Sequence, residues 1–315
     1  MATHAISFHG YFNLNGLPQW VTMCGQSRAN PLLLVIHGGP GSTYSKFTSA
    51  TCQFATQFTV VHWDQRGAGK TYQKNKVVPH RLQDLVQDGV QLTRRLKRQF
   101  PNTPIILWGS SIGSLTANLM VQQAPNLFAL YLASEQMTPT THQFAFNQAM
   151  ADTKRWGIAK NWLQQLPFNA HDWTAKQLNQ FNIYCGLQRT DVANMVFDLF
   201  LKTMVQAPDY RIRDIIAFAS GMIASYQALH QELDHFNYER LFTQLPIPVI
   251  IFQGAHDPIT PTVAIRQYFN QIQAPMKKLI IVPQTGHLCL FANPQFFLSY
   301  ADLLKSSLSK TRAQT

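Results

Sequence analysis

The chain is short of acid. Its 315 residues include only three glutamates, Glu135, Glu232 and Glu239, and the formal charge is +11. It is short of cysteine as well. Cys24, Cys52, Cys185 and Cys289 are scattered with no Cys-x-x-Cys pair, which argues against a zinc site or a disulfide framework and suits a reducing cytosol. Long apolar runs are missing too. Leu32 to Ile36, Ile247 to Phe252 and Leu279 to Val282 are strand-sized, far below the roughly 20 residues a membrane span needs. Met1 to Gly10 has neither a basic start nor an apolar core, so no signal peptide is read and a soluble cytoplasmic protein is expected. No internal repeat and no low-complexity tract is found.

The basic excess invites a nucleic-acid partner, so its distribution matters. Between residues 137 and 245 nine Lys or Arg balance nine Asp or Glu, so the whole excess lies outside that span. Its densest piece, Arg94-Arg95-Leu96-Lys97-Arg98, reads as the solvated face of a helix. Aromatic interleaving and known nucleic-acid motifs are absent, so no nucleic-acid partner is expected.

What is present is a large apolar fraction, 46%, ample for a sizeable core. Residues 4 to 22 alternate loosely around Asn15-Gly16, a hairpin signal. Continuous apolar strands follow at Leu32–Ile36, Phe58–Trp63, Ile105–Leu107 and Leu127–Ala133, as when both faces of a sheet are covered. Helical patterns over Leu82–Arg98 and Leu115–Gln123 separate them. This alternation predicts an α/β fold with a mainly parallel, doubly wound sheet. From residue 137 strand signals vanish, returning only at Ile247. The expected organisation is therefore a core of residues 1–136 and 246–315, with a helical cap inserted at 137–245.

The chemistry centres on Gly109-Ser110-Ser111-Ile112-Gly113, between the strand at Ile105 and the helix at Leu115. A Gly-x-Ser-x-Gly at a strand-to-helix junction is a nucleophile elbow, in which the central Ser111 takes a strained turn and the glycines avoid collision. Such an elbow predicts an acid and then a histidine later in the chain. Asp257 and His287 follow the strands Ile247–Phe252 and Leu279–Val282, at the carboxyl ends where parallel sheets gather their sites. His256 is a weaker candidate base, since adjacency to Asp257 prevents the alignment a triad needs. The oxyanion donors are expected to be the Ile112 and Gly39 N–H groups, because Pro40 has none. His37 reads as a structural hydrogen-bonding residue, and Asp64 and Arg66 as ties between loops.

With these residues in view, the chain resembles the proline iminopeptidase-like branch of the α/β-hydrolases, serine peptidases with a helical cap. The resemblance rests on His37-Gly38-Gly39-Pro40-Gly41, Asp64-Gln65-Arg66-Gly67-Ala68-Gly69-Lys70-Thr71, Gly109 to Gly113, and Gly254-Ala255-His256-Asp257. It implies an α/β-hydrolase fold, a cap over the active site, no cofactor or metal, and release of an amino-terminal residue, often proline. Such peptidases hold the substrate amine with cap carboxylates, commonly a Glu following a Trp. Here Trp156, Trp162 and Trp173 are followed by Gly157, Leu163 and Thr174. The acids offered instead are Glu135, at the pocket mouth or merely on the surface at a strand end, and, as weaker candidates on a cap helix, Glu232 and Asp234.

Three functions follow as expectations. The first is an aminopeptidase on short peptides or amides. The second is a carboxylesterase, lactonase or amidase with the same triad. The third, a non-catalytic binding protein on this scaffold, is disfavoured by the intact Ser111, Asp257 and His287. The expected partner is a small peptide, amide or ester, with no membrane partner.

Overall fold

The computed structural model describes residues 5–47, 51–188, 192–203, 211–234 and 243–312. Glu239 lies outside them, as does the side chain of Asp234. Eight strands form one sheet in the order β1-β2-β4-β3-β5-β6-β7-β8. They are β1 (Ile6–Leu14), β2 (Leu17–Gly25), β3 (Leu32–Ile36), β4 (Thr59–Trp63), β5 (Ile105–Ser110), β6 (Leu130–Ser134), β7 (Val249–Gly254) and β8 (Lys277–Val282). β1, β2 and β4 pair antiparallel, and every pairing from β4 through β8 is parallel. Asn15 and Gly16 both have positive φ, 47° and 81°, the backbone a two-residue hairpin turn requires.

The parallel strands are apolar throughout because both faces are covered. Leu32, Leu34, Ile36, Ile105, Leu107, Val249 and Ile251 enter one core cluster. Their neighbours Leu33, Val35, Ile106, Trp108, Ile250 and Phe252 enter the other. That is the two-residue period of a pleated strand, read on both sides. The first face is covered by α2 (Leu82–Gln99), α3 (Gly113–Gln123) and, through Ile265 and Tyr268, by α8 (Thr262–Gln271). The second is covered by α9 (Cys289–Ala292), α10 (Pro294–Leu298) and α11 (Ala301–Arg312), with Phe297 and Leu304 fully buried. Truncating a central residue such as Leu107 to Ala is expected to cost about 2–5 kcal/mol.

A short helix, α1 (Gly69–Asn75), follows β4. Between β6 and β7 the described residues form helices and turns, with one isolated bridge between Gln244 and Gln273. The α-helices there are α4 (Thr141–Ala151), α5 (Lys160–Gln164), α6 (Ala175–Leu187) and α7 (Ile212–Asp234). Phe146, Trp156, Trp173 and Phe181 give this stretch an aromatic cluster of its own. α7 is not confined to it. Leu229 is fully buried in the first core cluster, and Ser225 donates to the Gly67 carbonyl. Segment edges moved by a few residues, mostly at strand ends. Residues 125–127 form a 3₁₀ turn before β6, because Pro125 blocks extension of the preceding helix and leaves only a tight turn.

Two of the scattered cysteines meet. The Cys24 and Cys52 sulfurs are 2.7 Å apart as free, half-buried thiols. Among the described residues no cluster of three or more His, Cys, Asp or Glu could hold a metal ion, and no helix is long and apolar enough to cross a membrane.

Candidate active site

Ser111 stands at the junction of β5 and α3 with φ 54°. A left-handed serine is costly, of order 1–2 kcal/mol, and the surroundings enforce it. Its N–H donates to the Ser134 carbonyl at 3.0 Å, and its own carbonyl accepts from Ser114 N. The tightness of the turn also explains Gly113, where an added Cβ would lie 2.3 Å from the Ile36 carbonyl oxygen. A side chain at Gly38 would come within 2.9 Å of Ser111 Cβ. The loop after β3 is therefore pressed against the elbow.

The loops after β7 and β8 complete the arrangement. His287 Nε2 lies 3.1 Å from Ser111 Oγ, and His287 Nδ1 lies 2.8 Å from Asp257 Oδ2. Asp257 and His287 are buried, while Ser111 is partly open. Asp257 is held by more than the imidazole. Oδ1 accepts the N–H groups of Ile259 and Thr260, and Oδ2 accepts the Thr260 hydroxyl. Burial alone would raise the Asp257 carboxyl, but the His287 charge and these donors hold it below its ordinary value. Burial likewise works against the His287 imidazolium. Asp257, and after it Glu135, outweigh that and raise the histidine above its ordinary value.

Among the described residues, neither the Ile112 nor the Gly39 N–H donates to a protein acceptor. Gly39 has φ 128° and precedes a cis bond to Pro40. His37 is buried, with Nδ1–H donating to the Gly38 carbonyl and Nε2 accepting from Gln65 N–H. Burial pulls it down to about 4, so it is neutral at physiological pH. Asp64 accepts from Thr43 Oγ1 and from Lys70 N–H, joining the loop after β3 to α1. Arg66 makes a two-pronged contact with Asp88 at 3.0 and 3.2 Å, where Gln19 and Asn15 also converge. His256 is exposed beside buried Asp257.

Glu135 sits neither at a pocket mouth nor on the surface, and Glu232, on its helix, is held by a backbone donor. Glu135 is fully buried. Oε1 accepts the Cys289 N–H at 2.7 Å, and Oε2 accepts the Ser110 hydroxyl at 3.1 Å. Glu232, on α7, accepts the Leu82 N–H at 2.7 Å. The physical reason is common to both. A carboxylate near unpaired backbone donors is drawn to them, and a helix start supplies such donors.

A cavity of about 720 Å³ lies between Gln148, Asp152 and Trp156 on one side and Ala255, His256 and Gln284 on the other. It adjoins the Asp257 loop rather than the Ser111 side chain. Its acid, Asp152, pairs with Arg155 at 2.6 Å. Sequence reasoning passed over Thr260, Ser110 and Tyr44. Thr260 was findable, since an Asp followed three residues later by Thr marks a side-chain-to-backbone turn. Ser110 and Tyr44 carried no local signal.

Residues 27–293 match the family model described as serine aminopeptidase, S33. A Bacillus subtilis protein described as "Probable aminopeptidase YbaC" is 28% identical over 300 residues, covering 90% of this chain and 92% of its own. A proline iminopeptidase of Thermoplasma volcanium is 27% identical over 109 residues, 34% of this chain and 35% of its own. Among solved structures, a proline iminopeptidase-related protein of Thermus thermophilus superposes with a TM-score of 0.61 at 15% identity, covering 96% and 98% of the two chains. A thermophilic esterase of Thermogutta terrifontis gives 0.59 at 16% identity, covering 97% and 98%. The eight-stranded, mostly parallel sheet is the α/β-hydrolase fold, and the chain is a hydrolase belonging to the serine aminopeptidase S33 family.

Proposed function

We propose that this enzyme is an aminopeptidase that releases an amino-terminal residue from short peptides or amides through an acyl-enzyme on Ser111. The observation that carries this reading is the hydrogen-bonded line from left-handed Ser111 through His287 to Asp257, with links of 3.1 and 2.8 Å. Ser111 Oγ attacks the carbonyl carbon while His287 Nε2 takes its proton. The negative oxygen of the tetrahedral intermediate is held by the Ile112 and Gly39 N–H groups. His287 then returns the proton to the departing amine, and water repeats the sequence in reverse roles to free Ser111. Asp257 fixes the tautomer with Nδ1–H and stabilises the charged imidazolium. Acyl selection falls to residues 137–245, read as a cap. No cofactor or metal enters the scheme.

A second reading, a carboxylesterase, lactonase or amidase, is favoured by one observation. Glu135 and Glu232 are both committed to protein donors, and Asp152 is shared with Arg155. A panel of prolyl and other amino-acyl chromogenic amides beside p-nitrophenyl esters decides between them, run on wild type and Ser111→Ala. Turnover of unblocked amino-acyl amides that Ser111→Ala abolishes supports the first reading. Ester turnover with no amide released supports the second. Amide release that survives Ser111→Ala would remove the acyl-enzyme scheme.

A further inference from the structure

We propose that Glu135 is a positioning residue of this hydrolytic site, a second carboxylate that ties the nucleophile strand to the histidine loop and supports the charge on His287 alongside Asp257. The inference rests on the Ser111–His287 reading above and deepens it.

Glu135 directly follows β6, and its backbone turns left-handed there, with φ 50°. A β-continuation would point the side chain out of one sheet face, so the left-handed turn is what re-aims it. It ends at full burial. A buried carboxylate is tolerated only where donors or charge replace water, and both oxygens are used. Cys289 N–H, two residues past His287, meets Oε1 at 2.7 Å. The Ser110 hydroxyl, one residue before Ser111, meets Oε2 at 3.1 Å. Tyr44 OH lies 3.1 Å from the same Ser110 oxygen. Since Ser110 gives its proton to the carboxylate, Tyr44 donates to Ser110, and the chain of donors runs one way into Glu135. Ser134 hydrogen-bonds the carboxylate as well, and all three contacts are donors that fit its ionised form. One side chain therefore spans the residue before the nucleophile and the loop just beyond the base.

The charged surroundings leave few alternatives for what supports His287. Asp257 faces it from the loop after β7 and Glu135 from the loop after β6. Cys289 follows on its own loop, Tyr44 reaches Glu135 from the loop after β3, and Cys185 reaches Asp257 from α6. Burial pushes these two thiols and the phenol up, so they stay neutral at physiological pH. Two carboxylates remain. Burial raises Glu135 itself, and the His287 charge is the first influence opposing that rise. The two groups thus favour each other's charged forms.

The test is the pH dependence of Ser111 labelling by a fluorophosphonate probe, which needs no knowledge of the substrate. Wild type, Glu135→Gln and Glu135→Asp are compared after each is shown to fold. The acid limb, where His287 gains its proton, is expected to move down by about one pH unit in Glu135→Gln. Glu135→Asp, which keeps the charge, should restore most of the shift. An unmoved limb in folded Glu135→Gln would reduce Glu135 to a purely structural residue and overturn the proposal. Failure of wild type to label at Ser111 would instead remove the underlying acyl-enzyme reading. If Glu135→Gln does not fold, Asp257→Asn gives an independent measurement by NMR titration of His287. Buried His37 and half-buried His142, with no carboxylate partner among the described residues, are pulled down to about 4 by desolvation. His287 in Asp257→Asn should titrate clearly above them. Descent to their level would show that Glu135 lends nothing.

Discussion

Glu232 Oε2 accepts the Leu82 N–H at 2.7 Å, so α7 closes the first turn of α2 from 150 residues away. The contact satisfies one of the orphan donors at a helix start, the role usually given to a local cap. Glu232→Ala should therefore cost about 1 kcal/mol of stability while leaving kcat/KM on amino-acyl amides within about twofold, since side chains remote from the chemistry contribute little to transition-state binding. Thermal unfolding and a steady-state assay check both halves. A large activity loss at unchanged stability would return Glu232 to the substrate.

Asp257→Asn tests the line behind the proposed nucleophile, Ser111. Three donors from Ile259 and Thr260 hold this carboxylate beside His287, so the amide should keep the fold and lose the correct imidazole tautomer. The expected fall in kcat is about 10⁴-fold, by analogy with other serine hydrolases. A fall below about tenfold would mean another group orients His287.

The pH profile follows from the directions of the two shifts. His287 is raised in the folded enzyme and, as the proposed base, works only when neutral, so activity should fall on the acid side with a midpoint above about 6.5. The stability it lends is fully present below its unfolded value and is lost as pH rises through the folded one. Asp257 behaves oppositely. Its folded value is lowered, so its contribution is present above about 3.9 and lost as pH falls through the folded value. Activity with a midpoint well below 6 would contradict the raised histidine.

Lys46 predicts a stabilising substitution. It is buried, its ammonium has no hydrogen-bond partner among the described residues, and it rests 3.5 Å from the Phe200 ring centre and 4.0 Å from that of Phe218. Ring contacts return about 2 kcal/mol each in a desolvated site, against several kcal/mol for removing an ammonium from water. Burial accordingly lowers its proton affinity. The unfolded chain keeps that proton up to about 10.4, so stability should climb as pH rises towards that value. Lys46→Met should remove this slope and add about 1–3 kcal/mol near neutrality. Loss of stability in denaturant titrations would show the rings outweigh the desolvation.

Cys24 and Cys52 predict a redox-sensitive link between β2 and the 3₁₀ turn Cys52–Thr56. Contact with the Cys52 thiol lowers Cys24 to about 7, which favours the attacking thiolate. Hydrogen peroxide or a small disulfide should take two hydrogens from the pair and join the sulfurs. Peptide mapping by mass spectrometry should find Cys24 and Cys52 coupled, with buried Cys185 and Cys289 unreacted. Separate oxidation of Cys24, with Cys52 still alkylatable, would count against it.

The chain's own order of residues determined the strands, the Asn15-Gly16 turn, the elbow at Ser111, and Asp257 and His287 each placed just beyond a strand. These are legible because their causes are local: a two-residue apolar period, a glycine where a Cβ has no room, a turn at a strand end. Only the tertiary structure decided where the scarce acids and thiols went. Glu135 reads as a strand-end residue until β5, β6 and the loop after β8 converge and bury it between Ser110 and Cys289. Glu232 reads as a helix-surface acid until α7 reaches the start of α2. Cys24 and Cys52 look unrelated until β2 and the turn before β4 are brought side by side. In each case the partner is distant in the chain, and the order in which strands pair is set by the packing of the whole sheet, which no local pattern records.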